Sequence, residues 1–107
     1  MRFALAAVLV FVTLAQQALA SRTVAERAIC VVFGPYCGQA LRVAQCESGM
    51  HTWASNGQYV NLFQMGYAER RRYGWHVAGS SPWVAARAAY RYFAATGYDW
   101  SPWTCKP

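Results

Sequence analysis

One carboxylate in this chain stands where an acid catalyst could act. Glu47 falls in the last turn of a predicted helix and continues an apolar stripe that includes Ala40 and Val43. Partial burial and the negative end of the helix dipole both favour the protonated carboxyl group. A protonated carboxyl group can donate its proton to a glycosidic oxygen, as the general acid of a glycosidase does. The pattern alone favours the simpler interpretation, a solvated glutamate at a helix end.

Two of the other three acidic residues have local explanations. Glu26 has the spacing of a capping box with Thr23. Glu69 precedes three arginines on a short predicted helix, and we interpret it as one half of a surface ion pair. Asp99 lies in an irregular tail, where only a tether could bring it near Glu47. Because two-carboxylate hydrolysis needs a partner about 5 to 10 Å from the acid, the acid count fits a single-acid mechanism better.

Four helices and one hairpin are predicted to position these groups. Capping residues and glycines delimit the helices, which extend from Thr23 to Gly34, from about Gly38 to Glu47, from Tyr67 to Tyr73 and from Ser81 to Gly97. The Asn56-Gly57 pair is a strong hairpin signal between the second and third helices. The sequence therefore predicts an α+β fold that is mostly helical and has a small β-hairpin.

The first twenty residues have the pattern of a secretory signal peptide. A basic residue precedes the apolar run 3–15, and residues 18–20 form a small-x-small cleavage site. The apolar run is shorter than the roughly 20 residues that a membrane-spanning helix needs. We therefore expect residues 1–20 to be removed, with no stable membrane insertion afterwards. Residues 21–107 would then form one secreted domain.

All four cysteines lie in the part that we expect to be exported, at Cys30, Cys37, Cys46 and Cys105. An even number of cysteines in a small exported chain predicts two disulfides, although three pairings are possible. We favour a first bridge across the Gly34-Pro35 turn and a second that tethers the irregular tail to the second helix. His51 and His76 have no zinc-ligand spacing, so we predict no metal and no cofactor.

The composition suits an anionic, carbohydrate-like partner. Cleavage before Ser21 would leave nine basic and four acidic residues, and 16% of the chain is aromatic. Because aromatic rings stack on sugar faces, four rings are candidates for a sugar cleft: Trp53, Tyr59, Trp75 and Trp100. We rank Trp53 and Tyr59 higher because they flank the predicted hairpin near Glu47. We assign Trp83 and Phe93 to the core.

Four motifs occur in order along the chain: Cys-Glu-Ser-Gly at 46–49, Asn-Gly-Gln-Tyr at 56–59, Leu-Phe-Gln-Met at 62–65 and Trp-Ser-Pro-Trp-Thr-Cys at 100–105. Together they resemble the lysozyme-like lytic transglycosylase domains of bacterial cell-wall enzymes. They are also similar to the resuscitation-promoting-factor domains of actinobacteria. The resemblance covers nearly all of 28–107. The chain departs from the family at Asn61, where Gly is frequent, and the family's Tyr-Asn-x-Gly motif is not visible.

The resemblance implies a lysozyme-like fold with a cleft and with Glu47 as the catalytic acid. It implies that Ser48 and Gln64 hold substrate or position the reacting groups. Tyr90 or Tyr92 would replace the tyrosine of the missing motif, and we include Tyr90 in the predicted site. The implied reaction cleaves the β-1,4 bond between N-acetylmuramic acid and N-acetylglucosamine in peptidoglycan and leaves a 1,6-anhydro product.

Three alternatives remain open from the sequence. A hydrolytic, lysozyme-type muramidase would leave reducing ends in place of anhydro sugars. A non-catalytic binding or signalling module would hold peptidoglycan without cutting it. The third alternative, a membrane-active cationic peptide, is based on Arg70-Arg71-Arg72, although such a charge run is more often a solvated helix face. We expect a monomer whose partners are peptidoglycan glycan strands and not nucleic acid.

Overall fold

The computed structural model describes residues 22–74 and 81–107. The predicted signal peptide, Trp75 and His76 lie outside the described residues. The elements in chain order are α1 (Val24–Phe33), a 3-10 helix (Gly34–Tyr36), α2 (Cys37–Ser48), β1 (Ser55–Asn56), β2 (Tyr59–Val60), α3 (Tyr67–Arg72) and α4 (Pro82–Ala95). The predicted class is confirmed, because the chain is mostly helical with one small antiparallel sheet.

Local capping signals set the ends of the helices. At the start of α1, the Thr23 hydroxyl accepts a hydrogen bond from the Glu26 N–H, and the Glu26 carboxylate accepts one from the Thr23 N–H. This is the predicted capping box. Helix α2 ends at Gly49, which adopts a left-handed conformation with φ of +63°. Ser81 caps α4 and Pro82 takes its first position, also as predicted.

The core forms where α1 packs against both α2 and α4. Four of the side chains that α4 buries are small: Ala85, Ala86, Ala88 and Ala89. Phe33, at the end of α1, contacts the rings of Phe63 at 5.3 Å and Trp100 at 5.7 Å between centroids. These aromatic contacts join the helices to the loop before α3 and to the C-terminal tail.

Two tryptophans differ from their predicted places. Trp100 is buried, and its indole N–H donates to the side-chain oxygen of Gln39 at 2.8 Å. It therefore belongs to the core and not to a sugar cleft. Trp83 is exposed, because it lies in the first turn of α4 and the buried residues of that helix begin at Ala85. Phe93 is fully buried, which confirms its assignment to the core.

Both disulfides have the predicted pairing. Cys30–Cys37 joins the end of α1 to the start of α2 across the 3-10 helix. Cys46–Cys105 joins the last turn of α2 to the tail, over a sequence separation of 59 residues. Within 22–74 and 81–107, every helix is too short or too polar to cross a membrane.

The predicted hairpin forms, with a loop one residue later than expected. Ser55 pairs with Val60 and Asn56 pairs with Tyr59, so the two loop residues are 57 and 58. Gly57 has φ of +62°, as the first loop position of a type II′ turn requires. Asn56 is therefore the last residue of β1 and not part of the loop.

Candidate functional site

A cavity of about 420 Å³ opens between the end of α2, the hairpin, α3 and the C-terminal tail. Its volume falls in the range of small-ligand sites, about 300 to 1,000 Å³. Its lining is rich in groups that can donate or accept protons and hydrogen bonds, which are Glu47, Asn56, Tyr59, Gln64, Glu69, Tyr92 and Trp103. With Tyr92 of α4 included, five separate parts of the sequence therefore build one polar site.

Glu47 reaches the cavity from the last turn of α2 and is half-buried. Its Oε1 accepts a hydrogen bond from the backbone N–H of Cys105 at 2.9 Å. The neighbouring residue, Cys46, is covalently bonded to the same Cys105. The hydrogen bond to the carboxyl group thus comes from a segment that is covalently tethered to the adjacent residue, which limits the positions that the carboxyl group can occupy.

Gln64 fixes the loop between β2 and α3. Its side-chain amide donates to the carbonyl oxygen of Ala54 at 3.1 Å and to that of Asn61 at 2.9 Å. Gln64 and Asn61 both have positive φ, at +47° and +68°. Non-glycine residues adopt this strained conformation only where surrounding contacts stabilise it, and such residues are often found at functional sites. The loop is therefore held firmly where it borders the cavity.

Glu69 brings a second carboxylate to the cavity from the first turn of α3. It is half-buried and borders the cavity, whereas we interpreted it from the sequence as one half of a surface ion pair. Gly66 makes room for it, since a Cβ there would lie 2.8 Å from Glu69 Oε2 and 3.1 Å from Tyr59 Cε1. The missing side chain at Gly66 lets the Glu69 carboxylate and the Tyr59 ring approach each other.

Tyr92 and Trp103 form the aromatic wall of the cavity, with ring centroids 5.0 Å apart. The Trp103 indole N–H donates to the carbonyl oxygen of Phe63 at 2.9 Å. Burial raises the pKa of Tyr92, and the negative charge of Glu69 raises it further. Tyr92 therefore keeps its proton at neutral pH and can act as a hydrogen-bond donor.

Three predicted site residues do not line this cavity. Ser48 turns its hydroxyl back to its own helix and donates to the carbonyl oxygen of Ala44 at 2.9 Å. Trp53 is 74% exposed, its ring contacts that of His51 at 4.6 Å between centroids, and it lines a separate groove beside the start of α1. Tyr90 packs edge-on against Phe33 at 5.4 Å, on another side of α4.

Three other predicted residues do meet in the cavity: Glu47, Tyr59 and Gln64. Glu69 was missed as a site residue because its spacing to the arginines suggested a local ion pair. Trp103 lies inside the fourth motif, and that motif was the signal that could have identified it. Of the two tyrosines that could replace the family's tyrosine, Tyr92 lines the cavity and Tyr90 does not.

Comparison of the chain with family models, curated proteins and solved structures finds no match. Within the two described ranges, no group of three His, Cys, Asp or Glu side chains is placed to hold a metal ion. The site must therefore be interpreted from its own groups.

Those groups suit acid–base chemistry on a hydroxyl-rich ligand. The carboxyl groups of Glu47 and Glu69 can exchange protons with a bound molecule. The phenols of Tyr59 and Tyr92 can hydrogen-bond to hydroxyl or amide groups. The exposed Tyr59 ring and the aromatic wall behind it offer flat apolar faces of the kind that pack against sugar rings.

Proposed function

We propose that this chain is a peptidoglycan-cleaving enzyme that breaks the β-1,4 bond between N-acetylmuramic acid and N-acetylglucosamine. One observation carries the proposal: Glu47 lines a cavity of ligand size, and the Cys105 N–H holds its carboxyl group there. Glycosidic cleavage needs a carboxyl group in a fixed position to donate a proton, and hydrogen-bonding and aromatic residues beside it to position the sugar. Export of the chain, expected from its N-terminal pattern, would give access to this polymer.

The proposal includes a lysozyme-like fold related to the lytic transglycosylases. The ordered motifs support it, because residues from all four line the same cavity. The departure at Asn61 is compatible with it as well. Asn61 has φ of +68°, a conformation that glycine adopts freely and asparagine tolerates better than most residues. Asparagine can thus occupy, in this conformation, the position at which the family often has glycine.

In the proposed transglycosylase reaction, Glu47 donates its proton to the glycosidic oxygen as the bond to the anomeric carbon breaks. The resulting carboxylate then removes the proton from the muramyl 6-hydroxyl, and the 6-oxygen bonds to the anomeric carbon. Glu47 ends the cycle protonated, and no water is consumed. The products are a new N-acetylglucosamine end and a 1,6-anhydromuramic acid end.

A hydrolytic muramidase is the second candidate, and the position of Glu69 favours it. Hydrolysis by two carboxyl groups requires a second carboxylate near the acid. Glu69 lines the cavity that contains Glu47. The two reactions share Glu47 as the acid and differ in the nucleophile, so their products distinguish them.

The deciding experiment compares the secreted wild-type protein with Glu47→Gln on purified, insoluble peptidoglycan. We expect the wild type to solubilise the polymer and the variant to act about 10² to 10⁴ times more slowly, because it lacks the acid. Glu26→Gln is the matched control, since glutamine also serves at this capping-box position. Circular dichroism would establish that all three proteins are folded.

Mass spectrometry of the released fragments would assign the reaction, because hydrolysis adds a water that transglycosylation does not. Full activity of Glu47→Gln would refute the proposed role of Glu47. Wild-type protein that binds peptidoglycan but releases no fragments would instead support a non-catalytic binding module.

A further inference from the structure

We propose that Glu69 is a second catalytic residue, whose carboxylate removes a proton from a water molecule as that water attacks the anomeric carbon. This inference rests on the proposed function, with Glu47 as the acid that protonates the leaving oxygen. It assigns a hydrolytic route to a site whose sequence motifs imply a transglycosylase. One site would then yield two kinds of product, each dependent on a different base.

The geometry of α3 directs Glu69 into the site. Glu69 is in the first turn of this helix, and its Oε2 lies over the backbone of Gly66. A Cβ at Gly66 would also fall within 3.2 Å of the Gln58 side-chain oxygen and within 3.1 Å of the Tyr59 ring. The Glu69 carboxylate is therefore packed against the hairpin loop, on the cavity side of α3, and not extended into solvent.

The arginines that follow Glu69 make contacts of their own. Arg70 is buried and donates to the backbone carbonyl oxygens of Gly66 and Gln58. Arg71 donates to the Tyr67 hydroxyl at 3.4 Å. Through Arg70, the charge run ties α3 to the hairpin loop. The arginine run therefore has a structural role that does not depend on an ion pair with Glu69.

Glu69 and Tyr92 line the same cavity, from α3 and α4 respectively. In keeping with this placement, the negative charge of Glu69 adds to the effect of burial in raising the pKa of Tyr92. Glu47, Glu69 and Tyr92 thus approach the same space from three different helices. The cavity volume of about 420 Å³ is in the size range of small-ligand sites.

The proposed step is balanced. Glu47 gives a proton to the glycosidic oxygen, and the bond between that oxygen and the anomeric carbon breaks. The water oxygen bonds to the anomeric carbon from the opposite face, and Glu69 takes the water proton. Proton exchange with solvent returns Glu69 to the carboxylate and Glu47 to the acid. In enzymes of this type the two carboxyl groups lie about 6.5 to 9.5 Å apart, which leaves room for the water.

The test is the ratio of hydrated to 1,6-anhydro ends released from peptidoglycan by wild type, Glu69→Gln and the control Glu26→Gln. We expect Glu69→Gln to form hydrated ends at least about 10²-fold more slowly, because it lacks the base. The rate of anhydro-end formation should change by less than about threefold, since Glu47 serves as acid and base on that route. Glu26→Gln should match the wild type in both products.

Chemical rescue supplies a readout that a structural role for Glu69 would not produce. Azide needs no base to attack a carbon atom, so it should restore cleavage by Glu69→Ala and appear in the product as a glycosyl azide. It should not restore Glu47→Gln, which lacks the acid. Thermal unfolding of each variant would be measured alongside.

The outcomes separate this inference from the function on which it rests. Three outcomes would overturn the role of Glu69 and leave that of Glu47 intact. The wild type could release only anhydro ends, Glu69→Gln could release the two ends in the wild-type ratio, or Glu69→Gln could lose both products equally. Absence of cleavage by the wild type would overturn both. Selective loss of hydrated ends with azide rescue would support Glu69 as the base.

Discussion

The backbone N–H of Cys105 donates a 2.9 Å hydrogen bond to Oε1 of Glu47, a residue 58 positions earlier in the chain. The adjacent Cys46–Cys105 disulfide holds the two segments together at this point. Buried Trp100 and Trp103 anchor the rest of the tail to the core. The position of the proposed acid therefore depends on a segment that is distant in sequence and covalently attached beside it.

Removing the Cys46–Cys105 bridge should impair cleavage as well as stability. In the chain-entropy model, a closure of this length stabilises the fold by about 4 kcal/mol. The double variant Cys46→Ser/Cys105→Ser should lose that amount in urea unfolding. It should also cleave peptidoglycan more slowly per folded molecule, because the N–H that holds Glu47 is no longer fixed by a covalent bond.

The Cys30–Cys37 bridge is the matched control, since it lies between α1 and α2 and contributes no residue to the cavity. Its shorter loop predicts a smaller loss of about 2 to 3 kcal/mol in Cys30→Ser/Cys37→Ser. Cleavage per folded molecule should stay near the wild-type rate. If both double variants lost equal activity per folded molecule, the tether would have no specific role in placing Glu47.

The helices could be predicted because their signals are local. A capping box, a proline after a serine cap and a left-handed glycine each act within one turn, and all three occur where the sequence predicts. The disulfides could also be predicted, since few pairings exist and a turn separates the first two cysteines. These features need no knowledge of how the helices pack.

The composition of the cavity could not be predicted in full, because it depends on that packing. Tyr90 and Tyr92 are two positions apart on α4 and so face different directions. Only the placement of α4 against α1 decides that Tyr92 lines the cavity. Trp53 is close to Glu47 in sequence, but left-handed residues at Gly49 and Met50 redirect the chain, and Trp53 lies on another groove.

Asn61 should tolerate glycine better than alanine. Its φ of +68° costs alanine about 1 kcal/mol or more, and glycine does not incur this cost. Both changes remove the side-chain oxygen that accepts from the Leu62 N–H. We expect Asn61→Ala to lower the free energy of unfolding by about 2 to 3 kcal/mol and Asn61→Gly by about 1 kcal/mol less. Equal urea midpoints for the two variants would contradict this conformational explanation.

Gly66→Ala should displace Glu69 with little effect on stability. The added Cβ meets the Glu69 Oε2, the Tyr59 ring edge and the Gln58 side-chain oxygen, all at the ends of side chains that can move. We therefore expect the free energy of unfolding to fall by only about 1 kcal/mol, which is the usual difference between a favourable N-cap residue and alanine. Formation of hydrated ends should fall severalfold.

Gly38→Ala is the control for this change. Gly38 lies inside α2, and the nearest atom to an added Cβ is at 3.6 Å, an ordinary contact distance. Alanine there should increase the free energy of unfolding by about 0.5 kcal/mol and leave the products unchanged. Unchanged products in Gly66→Ala as well would show that the position of the Glu69 carboxylate does not matter.

Stability should decline in alkaline solution because of two tyrosines on α4. Burial raises the pKa of Tyr90, and the neighbouring Tyr98 raises it further. Burial also raises the pKa of Tyr92, and the charge of Glu69 adds to that increase. Above the ordinary value of 10.0, the unfolded chain releases these protons while the folded chain retains them. Deprotonation then favours unfolding, so the stabilisation is complete below pH 10.0 and is lost as pH rises through the folded values.

Urea unfolding at about pH 8 and about pH 10.5, on either side of the ordinary tyrosine pKa, would measure this dependence. The wild type should lose more stability between the two conditions than Tyr90→Phe/Tyr92→Phe, which lacks both phenols. All four cysteines are in disulfides, so the protein has no free thiol that could attack these bonds at high pH. The double variant lacks the two phenols that stay protonated in the folded state. If both proteins lost the same amount of stability between the two pH values, these phenols would not be the cause of the alkaline decline.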